Sequence, residues 1–559
     1  MPDATDDTVG RPATIERSFI IRDTVVRTPF LRIPPFPGAL IGNFTSLPFA
    51  HADLEGVLPR IRELRVGGTY WAAQPPLPEK CVLVRSAAAV LTARAMANGN
   101  RVVLWDALTG IMKESGGKFI VRGDCDPWHM LGHASMLIGE PGDELRPIAA
   151  LLGVAYYEFD GASARRVHLN APDLVVEALS GARFENPFTG EAMGALQAVE
   201  LCGFWRRLID SNRGIAGGLG FAFWKQVHVA PLLWDGTQPF EFLRSSGTAK
   251  ASQSVAVWRT KVAPEAIADL GQRGISMIEV EDGFLRSRGL GADCVPPLSI
   301  TVDRLGAYFD PGQPSELERM LEDGEFDDEM LTRAAELRRL IVAAGLGKYE
   351  LGSAVLERTA GERRHVLVPG QVEDDRAVQA GGCGLVSNLE LLRRVREQAP
   401  HAYILYKPHP DVVAGHRRGA VSDRNALQFA DEIVGKVPIA SLIAMVDEVH
   451  VNTSLAGFEA LLRGKAVTTY GVPFYAGWGL TNDLGPIPSR RTASRSIDEL
   501  VAATLLLYPR YLDPETGLPC PAEIIVDRLS TGAERDPGLL VGIRRLQGKL
   551  MRHLRRLTQ

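Results

Sequence analysis

The chain has 559 residues, too many for one hydrophobic core, so two to four domains are expected. Its 45% hydrophobic and 23% charged content is that of a globular protein, and a formal net charge of -5 gives no electrostatic reason for a nucleic-acid partner. Six scattered cysteines with no CxxC pair argue against a disulfide scaffold or a zinc site and for a reduced, cytoplasmic compartment.

In chain order, residues 1–20 carry Asp3, Asp6 and Asp7 but no basic, apolar leader pattern, and read as a disordered lead. Strand-like runs then alternate with helical ones. They include Cys81 to Val84, Arg101 to Trp105, Met136 to Gly139 and Val154 to Tyr157. The rhythm resumes with Ser254 to Trp258, Ile275 to Ile278, Leu298 to Val302 and Ala307 to Phe309, followed by a charged helical stretch over 312–345. A third set begins at His365 and runs to about 508. Strands alternating with helices predict an α/β protein with parallel sheets. No apolar run reaches the ~18–20 residues that a membrane span needs. At the C-terminal end, Ile543, Leu546, Leu550, Leu554 and Leu557 form a helical stripe opposite six Lys and Arg residues. Such a helix either lies on an anionic membrane face or packs on the protein with its basic face solvated.

The chain also echoes itself. Arg183 to Gly190 (RFENPFTG) matches Arg510 to Gly517 (RYLDPETG), and Asp143 to Leu152 aligns without gaps on Thr453 to Leu462. The first copy lacks the Lys-Pro-His-Pro run and the Thr-Ser pair of the second, and Ala149 stands opposite Glu459. This reads as a duplicated module whose first copy is a truncated, non-catalytic remnant.

Three clusters carry candidate chemistry. Glu281 and Asp282, with Gly283 and Arg286 after them, follow the strand at 275–278 and offer a general acid/base beside an arginine, or simply a salt-bridged turn. Gln371, Glu373, Asp374 and Asp375 follow the strand at 365–369. A carboxylate at a strand's C-terminal edge faces the usual ligand crevice and can attack an anomeric carbon, whereas a run of acids is equally a solvated loop. The third cluster joins Lys407-Pro408-His409-Pro410 to Asn452-Thr453-Ser454. Either Thr453 or Ser454 caps a helix whose free N–H groups suit a phosphate, His409 reaches the same phosphate from a neighbouring strand, and Glu459 lies where it accepts from ribose hydroxyls. Gly471 to Thr481 is an aromatic, glycine-rich loop that either approaches a base or sugar or caps the domain. No metal-ligand spacing is legible.

These motifs in this order resemble the bacterial capsule polysaccharide proteins of the KpsC/LipB type, retaining β-Kdo glycosyltransferases, over roughly 199–530. The resemblance rests on Glu281 to Ser287, Pro297-Leu298-Ser299, Gly347-Lys348-Tyr349, Gln371 to Asp375, Lys407 to Val412, Gly457 to Lys465, Tyr475 to Thr481 and Asp513-Pro514-x-Thr516-Gly517. It implies a GT-B-like pair of Rossmann-type domains behind a degenerate α/β module. The expected division is 1–20 lead, 21–198 remnant, 199–360 acceptor side, 361–530 nucleotide side and 531–559 basic helix. It further implies a CMP-Kdo donor, no cofactor or metal, a lipid-linked glycan acceptor at the inner membrane, capsule assembly or export proteins as partners, and double displacement. The family's nucleophile falls on Asp375, and its His-Pro phosphate contact on His409 and Pro410. Gln371, Lys407, Thr453, Ser454 and Glu459 fall on the donor side, Glu281 or Asp282 is the acid/base, and Arg286 is on the acceptor side. Many members carry two complete modules; here one is complete, so a single linkage is expected. The alternatives are a non-catalytic assembly or export partner and a transferase using another nucleotide sugar.

Overall fold

The computed structural model describes residues 30–47, 56–106, 113–115, 118–179, 183–249, 253–285, 297–346, 358–359, 361–415, 417–435 and 437–532. Arg286, Gly347-Lys348-Tyr349, the lead at 1–20 and the basic stripe at 543–557 lie outside the described residues.

Three sheets dominate, one for each expected α/β unit. The third is six-stranded and runs from His365–Pro369 to Asn482–Asp483. All its pairings are parallel, and its strands, numbered in their own chain order, lie 3-2-1-4-5-6. Its central strand is buried at all five positions, as a strand covered by helices on both faces must be. Helix Asn388–Gln398 supplies part of that cover by turning Leu391, Leu392 and Val395 inward. In this topology the order reverses between the first and fourth strands, here His365–Pro369 and Glu448–Val451, and a crevice opens beyond their carboxyl ends.

The second sheet contains four parallel strands, with Ile215–Leu219, Ser254–Val257 and Ser276–Asp282 among them, followed by antiparallel Ser299–Asp303. The chain then returns to this sheet from far downstream: Pro509–Leu512 pairs with Ser299–Asp303, and Pro519–Cys520 extends the edge. Residues 509–520 therefore belong with the second sheet, which corrects the expected 361–530 unit. The boundary expected at 198/199 also moves, because helix Ala195–Asn212 runs through it without a break. Ala307 to Phe309 is a turn and not a strand. The Asp303 carboxylate accepts from the backbone N–H groups of Leu305 (2.8 Å) and Gly306 (3.0 Å) and ends the strand there.

The first sheet spans Cys81–Val84 to Ala164–Val167. Without its antiparallel edge strands its order is 3-2-1-4-5, that of the first five strands of the third sheet. The echo seen in sequence lands on equivalent elements. Helices Arg146–Leu152 and Leu455–Leu462 each follow the fourth strand of their sheet. The hairpins Arg183–Glu185 with Ala192–Met193 and Pro509–Leu512 with Pro519–Cys520 pair in the same register. Their turns also match bond for bond. Asn186 N–H donates to Glu191 O and Gly190 N–H to Asn186 O, as Asp513 N–H donates to Leu518 O and Gly517 N–H to Asp513 O. The glycines sit at φ 72° and 71°, where a side chain is strained. Among the described residues no helix is long and apolar enough to cross a membrane.

Candidate active site

The crevice at the switch point is built first from backbone demands. Gln371, just past the first strand, donates through Nε2 to Thr453 Oγ1 (3.0 Å) and accepts at Oε1 from Thr453 N–H (3.2 Å). Asn388 holds Gln371 from behind: its Oδ1 accepts from Gln371 N–H (2.8 Å), and its Nδ2 donates to Gln371 O (2.8 Å). With Thr453 engaged by Gln371, Ser454 is the residue that caps helix Leu455–Leu462, its hydroxyl accepting from Ala456 N–H at 3.2 Å. The Tyr475 hydroxyl donates to Ser454 O at 2.5 Å. Gly457 makes that approach possible, because a Cβ there would lie 2.3 Å from the hydroxyl oxygen.

His409, at the end of the neighbouring strand, caps the short helix Pro410–Val413 by accepting from Asp411 N–H through Nδ1 (3.1 Å). An accepting Nδ1 carries no proton, so the neutral ring bears its hydrogen on Nε2 and keeps that atom as a donor. Lys407 is only 4% exposed, and its ammonium donates to Gly435 O (3.2 Å) and Val437 O (2.6 Å). Those bonds hold the loop before helix Ile439–Met445 and leave the Lys407 charge beside the crevice.

Lys407, His409, Pro410, Ser454 and Glu459 all line one open cavity of about 500 Å³. It combines a cation, a ring N–H and a helix N-terminus, the chemistry that holds a phosphate. Glu459 also lines an apolar cavity of about 430 Å³ on its other side, with Phe284, Leu455 and Phe458. The aromatic loop lines neither cavity. Tyr475 and Trp478 are fully buried, Phe474 is 6% exposed, and Trp478 Nε1 donates to Phe474 O (2.8 Å), so the loop caps the domain as core.

Opposite stands strand Ser276–Asp282 of the second sheet. Asp282 is ion-paired with Lys225 (2.8 Å), whose ammonium also lies 3.5 Å from the Trp258 ring centroid. Glu281 and Glu279 share one nitrogen, Arg376 Nη1, at 2.5 and 2.6 Å. Burial pushes the Glu281 carboxyl up to about 7; Arg376 pulls the other way, while Glu279 and Asp282 add to the rise. The two carboxylates that sequence left as alternatives thus differ in partner and setting: Asp282 pairs with Lys225, whereas Glu281 pairs with Arg376 and is pushed up by burial.

Asp375 lies in the crevice edge between these halves. Its carboxylate caps helix Arg376–Gly381 by accepting from Ala377 N–H (3.0 Å), and the next residue, Arg376, reaches Glu281. It lines neither cavity. The acids beside it have structural duties, since Glu373 accepts from Asn388 N–H (2.9 Å) and Asp374 pairs with Arg417 (3.2 Å). Sequence reading missed Asn388, Lys225 and Arg376. Only Arg376 had a local signal, its place directly after Asp375.

Residues 253–511 match the family model described as capsule polysaccharide biosynthesis protein. The chain is 40% identical over 357 residues to the capsule polysaccharide modification protein LipA of Neisseria meningitidis serogroup B, covering 63% of this chain and 51% of LipA. It is 46% identical over 241 residues to the lipopolysaccharide-processing protein LpsZ of Rhizobium meliloti, 42% of this chain and 54% of LpsZ. The chain thus spans about half the length of these curated relatives. The solved Thermosulfurimonas dismutans KpsC β-Kdo 2,4 transferase aligns at 30% identity and a TM-score of 0.50, over 56% of this chain and 98% of that one. With the Lys407–Pro410 and Ser454–Glu459 motifs lining one crevice and that solved chain matched almost end to end, the protein belongs to the capsule polysaccharide proteins of the KpsC/LipB type.

Proposed function

We propose that the chain is a retaining β-Kdo transferase that moves Kdo from CMP-Kdo to a lipid-linked Kdo or glycan acceptor, without a metal. The observation that carries this reading is the phosphate-suited cavity at the switch point, with the Glu281 carboxyl facing the nucleotide-side domain through Arg376. In the first half of the reaction a carboxylate oxygen of Asp375 bonds to the anomeric carbon. The bond from that carbon to the phosphate oxygen breaks, and its electron pair leaves on CMP, held by His409 Nε2–H and the Ser454-capped helix end. In the second half the acceptor hydroxyl oxygen attacks the same carbon, Glu281 takes its proton, and the Asp375 carboxylate departs. Two inversions retain the configuration.

We further propose that each chain holds one donor site. In the first sheet Arg85 directly follows strand Cys81–Val84, and its Nε lies 3.4 Å from Asp143, the residue that the sequence echo aligns with Thr453, with the guanidinium over the Trp105 ring. Asp143 and Glu144 put carboxylates where a phosphate would need donors, and like charges repel there.

Calorimetry with CMP tests both statements. One site per chain is expected, and His409→Ala, which removes a hydrogen bond to a charged group, is expected to weaken binding by about 10- to 100-fold. No binding by the folded wild type, or two equal sites, contradicts the proposal.

A further inference from the structure

Arg376 is a cation with an unusual address. It is the first residue of the helix that Asp375 caps, on the nucleotide-side domain, yet its Nη1 sits between two carboxylates of the acceptor-side sheet, 2.5 Å from Glu281 and 2.6 Å from Glu279. Its guanidinium carbon lies 4.9 Å from the ring centroid of Phe309, a residue of the acceptor-side domain, within cation–π range. One side chain therefore links the backbone beside Asp375 to the Glu281 carboxylate across the crevice.

We infer that Arg376 is a positioning residue for the second half of the reaction, keeping Glu281 ionised and aimed so that it can take the acceptor's proton. This rests on the Kdo-transfer reading above. The charged groups around Glu281 show why the task falls to Arg376. Glu279 and Asp282 on its own strand repel its anion; Lys225 from the neighbouring helix favours it less than Arg376 does, its ammonium being bonded to Asp282 at 2.8 Å. Arg259 reaches Glu279, at 3.5 Å, and the residue opposite on the next strand is the neutral Thr301. Burial favours the neutral acid throughout. Without the Arg376 charge Glu281 moves toward the protonated form, in which it accepts no proton. The first half places no such demand, because CMP leaves as an anion and no proton passes through Glu281.

The test separates the two halves in the full-length chain. The covalent Kdo adduct is followed by intact-protein mass spectrometry with CMP-Kdo alone, and transfer is followed with a Kdo-primed lipid acceptor across pH 6 to 9. For Arg376→Gln, adduct formation is expected within about threefold of wild type. Transfer at pH 7 is expected to fall by about 30-fold, less than the roughly 10²- to 10⁴-fold of losing a general base outright because a fraction of Glu281 stays ionised, and to recover as the pH rises and ionises Glu281. Arg376→Lys, which keeps the charge, is expected to regain much of the rate. Glu281→Gln is expected to lose transfer with no alkaline recovery. If Arg376→Gln slows both halves equally, or its loss is the same at every pH, the inference is overturned while the donor reading stands. If wild type forms neither adduct nor product, the donor reading fails and this inference with it.

Discussion

Replacing Asp375 with asparagine is expected to abolish both the Kdo adduct and transfer, lowering the rate by about 10⁴-fold or more, the scale seen when a nucleophile is removed. Asparagine is the informative choice. The Asp375 carboxylate also caps helix Arg376–Gly381 through Ala377 N–H at 3.0 Å, and an asparagine oxygen still accepts that bond, so the loss reports chemistry. Alanine removes both, and adds a stability cost of about 0.5–2 kcal/mol from the missing cap. Circular dichroism and CMP affinity matching wild type establish that the Asp375→Asn site is intact. A Kdo adduct that persists in folded Asp375→Asn would show that another residue is the nucleophile.

The second large effect concerns stability. Arg491 is buried, and it donates to Glu318 (2.8 Å), Pro473 O (2.9 Å) and Ala476 O (2.8 Å) beneath the Trp478 ring. It ties helix Glu316–Asp323 to the aromatic loop of the nucleotide-side domain. Arg491→Ala strands the Ala476 carbonyl, takes one of two donors from Pro473 O, and leaves the buried Glu318 with Arg490 as its remaining cation partner. Breaking a buried pair from one side costs about 3–5 kcal/mol, and a loss of this size is expected in urea unfolding. Adding Glu318→Gln to Arg491→Ala is expected to recover part of it, because the uncompensated charge goes. A loss below about 1 kcal/mol would mean that Arg490 suffices.

The same residues show how far local sequence reaches. Strands such as Cys81–Val84 and His365–Pro369 were legible because buried parallel strands are written as short, continuous apolar runs. The polar residues at their ends follow, since a Rossmann-type sheet gathers ligand groups there. The choice between Thr453 and Ser454 as cap was not legible, for it depends on Gln371, far upstream, engaging Thr453. Nor was the return of 509–520 to the acceptor-side sheet, because Pro509–Leu512 would read the same whichever sheet it joined. The split between Glu281 and Asp282 needed Lys225 and Arg376, both distant in sequence. Gly471 to Thr481 has the composition of a ligand loop and of a tightly turned core segment alike; burial of Tyr475 and Trp478 decides for the second. The repeated turn at Asn186 and Asp513 was visible because its bonds are local and demand the same Asx, Thr and Gly at fixed spacing.

The most direct test of the proposed chemistry is to incubate the full-length chain with CMP-Kdo, generated in situ, and a Kdo-primed lipid acceptor, and to read the products by mass spectrometry. Addition of one Kdo to the acceptor with release of CMP is the predicted result. A folded chain that binds CMP yet releases none from CMP-Kdo and leaves the acceptor unchanged would contradict it, and would point to a non-catalytic partner in capsule assembly or to a different sugar donor.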